Sequence, residues 1–263
     1  MKERLLNTIY PIYTRMNALN EFVKALPDPV LIYQMGKVGS SSVYNALKKA
    51  DVDSLHVHFI TPQGRRSAAR WRRNENIPLP QHIHTGFLLH KWIKMNPRKI
   101  RIITLVRDPV AVHLSGSYML KHLTGLSSKN LQKSIQSMQQ SLSGRSGYIF
   151  HWFENEINAL LGINILEEPF DRNEGYSLIN RKNISILVLK LENLDDLFSN
   201  VLRTFVGKAV QPAQSRVEQD AKYEEIKSQI HFPETELNRI YGHPWMKHFY
   251  SENEIQRFKN KWT

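Results

Sequence analysis

A segment rich in glycine and serine follows an apolar run near residue 30. Residues 30–33 are continuously apolar, and apolar side chains recur at helical spacing after residue 42. Between these two patterns lie Gly36, Lys37, Val38, Gly39, Ser40, Ser41 and Ser42. Glycines let backbone N–H groups approach an anion, and the N-terminus of the following helix adds positive potential. Because Lys37 adds a mobile charge and the serines add hydroxyl donors, the segment predicts a strand, a phosphate-binding loop and a helix.

An arginine and a serine later in the chain have a second spacing that suits a phosphate. In LVRDPVAVHLSGSY, Arg107 ends an apolar run, Pro109 starts a helical pattern, and Ser115 lies eight residues after the arginine. That offset is about two helical turns, so both side chains can face the same end of a sheet. A guanidinium fork beside a hydroxyl suits a terminal phosphate. The alternative roles for Arg107 are an ion pair with Asp108 and a helix cap.

The order of the loop residues differs from that of nucleotide triphosphatases. The Walker A pattern places Gly-Lys-Ser/Thr after four variable residues, whereas Lys37 precedes the second glycine of this loop. This order counts against a phosphotransferase on a P-loop scaffold, which is kept as one alternative function. The other alternative is a non-enzymatic binder of acidic glycan or nucleic acid, which the net charge of +12 permits. No recognised nucleic-acid module occurs in the sequence.

Taken together, the loop and the Arg–Ser pair resemble the sulfotransferases that use 3′-phosphoadenosine 5′-phosphosulfate. Their 5′-phosphosulfate loop has the pattern Lys-X-Gly-Thr/Ser-Thr/Ser, matched by residues 37–41, and their 3′-phosphate motif is matched by Arg107 and Ser115. This resemblance implies a P-loop-like sulfotransferase fold, adenosine 3′,5′-bisphosphate as product, and no metal. It also implies that Lys37 stabilises charge on the leaving phosphate. The Lys-Gly-X-X-Gly segment with which the cytosolic members cover the nucleotide is missing, so those contacts stay unassigned.

Histidines are the candidates for the general base. In many of these enzymes a catalytic histidine ends a strand a little over twenty residues before the arginine. Here His84 lies twenty-three residues before Arg107, with His82 two positions earlier, and this His-X-His form resembles the uronosyl 2-O-sulfotransferases. Imidazole suits proton removal at neutral pH. We predict His84 as the base and His82 as a helper or alternative base, with His58 of the pair His56 and His58 as the third candidate.

A narrower resemblance extends beyond residue 122. The segments HWFENEINALLGINILEEPF, LVLKLENL and KNKW resemble bacterial capsular-polysaccharide sulfotransferase-like proteins. This implies that the acceptor is a hydroxyl of a carbohydrate, and specifically of a polysaccharide. A basic stretch is either a solvated face or a contact with a polyanion or acceptor. Its arginines are Arg65, Arg66, Arg70, Arg72 and Arg73.

Alternating strand and helix patterns predict an α/β fold with a central parallel sheet and helices on both of its faces. The predicted strands are 29–35, 54–59, 99–109 and 183–194, and a strand-like run is also expected before His84. The predicted helices are 40–50, 110–122, 149–161 and much of 220–262. We expect one sulfotransferase-like domain over 1–263. Residues 1–28 are expected to be an N-terminal helical extension that packs on the core, a partner or a membrane surface.

Composition excludes several kinds of site. The chain has no cysteine, so disulfides, thiolate metal sites and a cysteine nucleophile are excluded, and no histidines have zinc-protease spacing. No apolar run reaches the roughly 20 residues needed to cross a bilayer. We therefore expect a soluble, cytoplasmic protein that binds a nucleotide co-substrate and a carbohydrate but neither metal nor nucleic acid, with peripheral membrane contact left open.

Overall fold

The computed structural model describes residues 2–95, 99–123, 131–212 and 221–263. Its strands are β1 (Val30–Tyr33), β2 (Ser54–Val57), β3 (Ile100–Val106), β4 (Tyr176–Arg181) and β5 (Ile184–Lys190). They form one sheet in the order β2-β1-β3-β5-β4. The pairs β2–β1, β1–β3 and β3–β5 are parallel, whereas β4 runs antiparallel to β5 at the edge. The expected central parallel sheet is thus confirmed, but it carries an antiparallel edge strand that was not predicted.

Helices fill most of the intervening sequence. They are α1 (Lys2–Ala25), α2 (Ser40–Lys49), α3 (Pro62–Asn74), α4 (Gln81–Met95), α5 (Pro109–Leu123), α6 (Leu131–Gln140), α7 (Leu142–Phe153), α8 (Ala159–Leu161), α9 (Leu194–Leu197), α10 (Arg203–Val206), α11 (Ala221–Gln229), α12 (Glu234–Tyr241), α13 (Pro244–Phe249) and α14 (Glu252–Trp262). π-helical turns at Glu154–Asn158 and Phe198–Leu202 join α7 to α8 and α9 to α10. Short 3₁₀ turns lie at Ile165–Glu167 and Leu191–Asn193. Residues 124–147 are polar, and the sequence predicts either a surface helix or an insert over a site there; residues 124–130 lie outside the described residues.

The inner strands are apolar because both faces of the sheet are covered. Successive side chains of a strand point to opposite faces, so a strand that is buried at every position has no solvated face. All four residues of β1 are buried, as are six of the seven in β3 and in β5. Because β1, β2, β3 and β5 run in the same direction, their carboxyl ends lie along one edge of the sheet, where ligands bind in such folds.

The segment that carries His82 and His84 is a helix, so the expected strand-like run before His84 is wrong. Four positions of α4 are buried, and three of them, Ile83, Gly86 and Leu89, recur every three residues, as in a helix; the fourth is Thr85. Gly86 lets α4 approach the end of β2, because a Cβ there would lie 1.9 Å from the Phe59 carbonyl oxygen. A short apolar sequence does not by itself distinguish a buried helix from a strand.

The C-terminal helices are attached to the sheet through a buried carboxylate. Asp108 follows β3 and accepts hydrogen bonds from the Tyr241 hydroxyl at 2.8 Å and the Trp262 Nε1–H at 2.7 Å. Its own N–H donates to Glu192, which also accepts from the Tyr250 hydroxyl. Asp108 therefore binds α12 and α14 rather than forming the ion pair with Arg107 that was one alternative. Glu192 likewise connects the end of β3 to the C-terminal segment, through its hydrogen bonds with Asp108 and Tyr250.

Candidate functional site

The loop between β1 and α2 curls tightly where it meets the helix. Lys37 and Gly39 have φ of 70° and 86°, in the left-handed region that few residues adopt. Gly39 packs so closely on Leu191 that an added Cβ would lie 2.4 Å from its Cδ1. As the N-cap residue, Gly39 also offers no side-chain acceptor to the first N–H groups of α2. The Ser42 N–H donates to the Gly39 carbonyl oxygen at 3.0 Å, so the N–H groups that face an incoming anion are those of Ser40 and Ser41.

The side chains around this loop differ in burial. Val38 is buried in the core and Ser40 is buried at the start of α2. Ser41 is exposed, while Lys37, Gly39 and Ser42 are partly exposed. The exposed Ser41 hydroxyl and the Lys37 ammonium can therefore reach a ligand, whereas Val38 contributes its backbone alone.

Arg107 reaches the loop from the end of the neighbouring strand. Its Nη1 donates a 2.9 Å hydrogen bond to the Lys37 carbonyl oxygen. Burial, and next the positive charge of Arg107, lower the pKa of Lys37. Neither side chain forms an ion pair with an acidic residue in the described parts of the chain. Two adjacent cations without a protein counter-ion favour binding of an anion between them.

Ser115 and Arg107 both lie close to Tyr223, a residue of the C-terminal helix α11. Ser115 is buried on α5 and shares a hydrogen bond with the Tyr223 hydroxyl of α11, which lies close enough to Arg107 for its charge to act on the pKa of Tyr223. One turn further along α5, Met119 places its Sδ 3.8 Å from the Lys37 Nζ. The structure thus brings Lys37, Arg107 and Ser115 together at one edge of the sheet.

A third cation, Lys261, lies near Arg107. Burial lowers the pKa of Lys261 on α14, and the charges of Lys227 and Arg107 lower it further, against the opposing effect of Asp108. Lys261 belongs to the KNKW segment. No spacing rule connects Tyr223 or Lys261 to Arg107, so the sequence alone did not identify them as neighbours.

His58, rather than His84, is the histidine beside the loop. Its Nδ1 lies 2.8 Å from the Gln34 carbonyl oxygen. A carbonyl can only accept, so Nδ1 carries the proton and the Nε2 of neutral His58 is the basic nitrogen. A Cβ on Gly36 of the loop would lie 4.0 Å from that Nε2. Burial lowers the pKa of His58 to about 4, with Lys37 and Arg72 acting in the same direction and the Gln34 hydrogen bond opposing them.

The other candidate histidines occupy different positions. His82 stacks edge-on against His58 with ring centroids 4.7 Å apart, and His56 makes the same contact on the other side at 4.7 Å. Burial lowers the pKa of His56 to about 3. His84 lies two residues after His82, about half a helical turn around α4, where burial and then the charge of Arg15 on α1 lower its pKa. The structure therefore groups His56, His58 and His82, and it places His84 beside α1.

A buried glutamate fixes the segment that follows β2. Glu156, in the π-helical turn after α7, accepts hydrogen bonds from the Tyr33 hydroxyl, the N–H groups of Ile60 and Thr61, and the Thr61 hydroxyl, at 2.5 to 3.1 Å. Burial raises the pKa of Glu156 while these donors lower it. Trp152, one turn earlier, donates to the His58 carbonyl oxygen at 3.1 Å. Together these contacts hold the backbone on both sides of His58.

The arginines of α3 separate into two sets. Arg66, Arg70 and Arg73 are exposed, whereas Arg65 and Arg72 are half-buried. Arg72 lies close enough to His58 and His82 to lower the pKa of both. Part of the basic stretch thus adjoins the histidines and part faces solvent.

The described residues contain neither a cluster of metal ligands nor a membrane-spanning helix. Within residues 2–95, 99–123, 131–212 and 221–263, no three His, Asp or Glu side chains are placed to hold a metal ion. Among the helices of these ranges, none is both long enough and apolar enough to span a bilayer.

The comparisons with known proteins bear on the C-terminal half. Residues 128–251 match the model of a family described as "Putative capsular polysaccharide synthesis protein". This segment contains Glu156, Glu192 and Tyr223, whereas the loop, Arg107 and Ser115 precede it. Searches of curated proteins and of solved structures found no match. The chain is therefore similar, over this segment, to proteins named for capsular polysaccharide synthesis.

Proposed function

We propose that this chain is a sulfotransferase that uses 3′-phosphoadenosine 5′-phosphosulfate and a hydroxyl of a carbohydrate, specifically of a polysaccharide. The single observation that supports the proposal is the hydrogen bond from Arg107 to the Lys37 carbonyl oxygen, because it puts the two predicted phosphate-binding motifs in contact with each other. Ser115 beside Arg107 supports it further. The similarity of residues 128–251 to capsular polysaccharide proteins supports the choice of acceptor.

The residues divide the binding of the nucleotide between two ends. Lys37, the N–H groups at the start of α2 and the Ser41 hydroxyl would hold the 5′-phosphosulfate. Arg107 and Ser115 would hold the 3′-phosphate, so that binding energy remote from the sulfur positions it for reaction. The nucleotide supplies the sulfuryl group: the bond from sulfur to the bridging oxygen breaks while a bond to the acceptor oxygen forms. Lys37 then stabilises the negative charge on the released phosphate.

A base must take the proton of the acceptor hydroxyl, and the geometry favours His58. Its unprotonated Nε2 faces the loop, and His82 contacts the same ring. With a pKa of about 4, His58 is neutral at pH 7 and free to accept a proton. A bound polyanion beside it would raise that pKa and make the imidazole a stronger base. His84, the base that the family resemblance implies, remains the competing assignment.

Three alanine variants distinguish the histidines. We expect His58→Ala to lower kcat by about 10²- to 10⁴-fold without weakening nucleotide binding. His84→Ala should lower it less than tenfold, and the matched control is His151→Ala, a surface histidine on α7. A large loss in His84→Ala with none in His58→Ala would return the role to His84.

Nucleotide binding tests the function itself. Adenosine 3′,5′-bisphosphate at a hundredfold excess over its Kd should stabilise the protein by about 2.7 kcal/mol, which raises Tm by about 5–10 °C. The shift should be the same with and without EDTA. Stabilisation by ATP with Mg²⁺ alone would indicate a phosphotransferase instead, and no response to either nucleotide would indicate a non-enzymatic binder.

A further inference from the structure

Helix α1 presents an apolar stripe to solvent. Ile12, Met16, Leu19 and Val23 follow the spacing i, i+4, i+7, i+11, so they lie along one face of the helix. Each is between 53% and 66% exposed. The opposite face is fixed to the protein, because Thr14, Ala18 and Ala25 are buried. The stripe is therefore part of the surface of the folded molecule.

Basic residues flank this stripe along α1. Arg15 and Lys24 are exposed on the same helix. Glu21 is the acidic side chain of α1 within residues 10–25, and it accepts a 2.5 Å hydrogen bond from Gln81 of α4. The exposed charge beside the described part of the stripe is accordingly positive.

A second stripe, on α3, is entirely basic. Arg66, Arg70 and Arg73 follow the spacing i, i+4, i+7 and are all exposed. Helix α3 has no acidic residue; the first one, Glu75, comes after the helix ends. None of these arginines forms an ion pair with a described residue.

Helices α1 and α3 both pack on α4, and they border one groove. Tyr10 of α1 and Arg73 of α3 line a common surface groove of about 310 Å³. Tyr10 also lies close to Arg72, whose pKa burial lowers. The apolar stripe and the basic stripe therefore belong to two exposed helices that border one groove.

We propose that this surface of α1 and α3 docks on an anionic lipid bilayer. An apolar helix face bounded by cations inserts into the headgroup region of such a membrane, where the apolar side chains leave water and the arginines meet lipid phosphates. Charge complementarity selects this occupant over a second copy of the chain, because pairing two such surfaces would bring like charges together. The proposal is independent of the proposed enzymatic function.

Vesicle binding tests the proposal directly. The full chain is centrifuged with vesicles of phosphatidylcholine containing about one-third phosphatidylglycerol, and with vesicles of phosphatidylcholine alone. We expect at least tenfold stronger partition to the anionic vesicles, and a decrease of that preference as salt is raised. Equal binding to both vesicles, or binding to neither, would overturn the proposal.

Matched variants connect the binding to the two stripes. The double variant Met16→Ser/Leu19→Ser should lower partition at least tenfold, and Arg66→Glu/Arg70→Glu should do the same. The controls are Leu178→Ser, an apolar residue 50% exposed on β4, and Lys182→Glu in the turn after β4; both should bind as wild type. Circular dichroism verifies that each variant is folded. Wild-type partition by both double variants would contradict the proposal, as would a wild-type dimer that Met16→Ser/Leu19→Ser converts to monomer.

Discussion

Glu156 offers the prediction whose magnitude follows most directly from the structure. Its carboxylate accepts four hydrogen bonds, from donors in β1 and in the segment after β2. Glu156→Ala would leave those donors buried without an acceptor, at about 1–3 kcal/mol for each group that stays unsatisfied. Because neighbouring groups relax and water enters, we expect a total loss of about 3–5 kcal/mol in the free energy of unfolding. That is a large part of the 5–15 kcal/mol typical of a protein domain.

The isosteric variant refines this prediction. Oε2 accepts three of the bonds and Oε1 accepts only the bond from the Thr61 hydroxyl. A glutamine with its carbonyl oxygen at the Oε2 position keeps the three hydrogen bonds that this atom accepts, and the Thr61 hydroxyl can rotate to accept from the amide. Glu156→Gln should therefore lose only about 1–2 kcal/mol.

Urea unfolding followed by circular dichroism measures both losses. The control is Glu154→Gln in the same π-helical turn, whose side chain is 69% exposed and which should stay within about 0.5 kcal/mol of wild type. The reasoning is refuted if Glu156→Ala unfolds within 1 kcal/mol of wild type, or if the alanine and glutamine variants are equally destabilised.

Two further predictions concern the loop and the histidines. Gly39→Ala should destabilise the protein by about 1–3 kcal/mol, since it places a Cβ at a φ of 86° and against Leu191; unfolding as stable as that of the control Gly144→Ala would contradict this. For the pH dependence, His56 and His58 have folded pKa values of about 3 and 4, below the unfolded value of about 6.5. The unfolded chain thus binds more protons than the folded chain below about pH 6.5. The two histidines contribute fully to the free energy of unfolding above that pH. As the pH falls towards 4, this contribution decreases by up to about 1.4 kcal/mol per pH unit for each histidine. Urea midpoints from pH 7 to 4 should fall less steeply in His56→Asn/His58→Asn, and an unchanged slope would show that neither residue titrates this way.

Much of the fold could be predicted because the strongest patterns arise from burial. The runs before Lys37 and Arg107 are apolar at nearly every position, which is typical of strands covered on both faces, and both are strands of the sheet. Gly207 ends α10 with a φ of 75°, the left-handed conformation in which a glycine commonly ends a helix. These signals are local, so one sequence suffices to read them.

The features that could not be predicted depend on tertiary contacts. A strand-like run was expected before His84, whereas the segment is the helix α4, in which Gly86 packs against the end of β2. The edge strand β4 is largely exposed and polar, so it has no apolar run to mark it. Glu156 and Tyr223 lie more than ninety residues after the loop in the sequence, although the fold brings them close to the site. Such side chains become neighbours only after the chain has folded.

The central claim is that one nucleotide bridges Lys37 and Arg107, and isothermal titration calorimetry with two ligands tests it most directly. Adenosine 3′,5′-bisphosphate has the phosphate assigned to Arg107, and adenosine 5′-monophosphate lacks it. Arg107→Gln should weaken the bisphosphate by about tenfold to a hundredfold and leave the monophosphate nearly unchanged. Lys37→Gln should weaken both ligands by a similar factor, and Arg101→Gln on the same strand should affect neither. Equal weakening of the two ligands by Arg107→Gln, or no binding of the bisphosphate by wild type, would contradict the account.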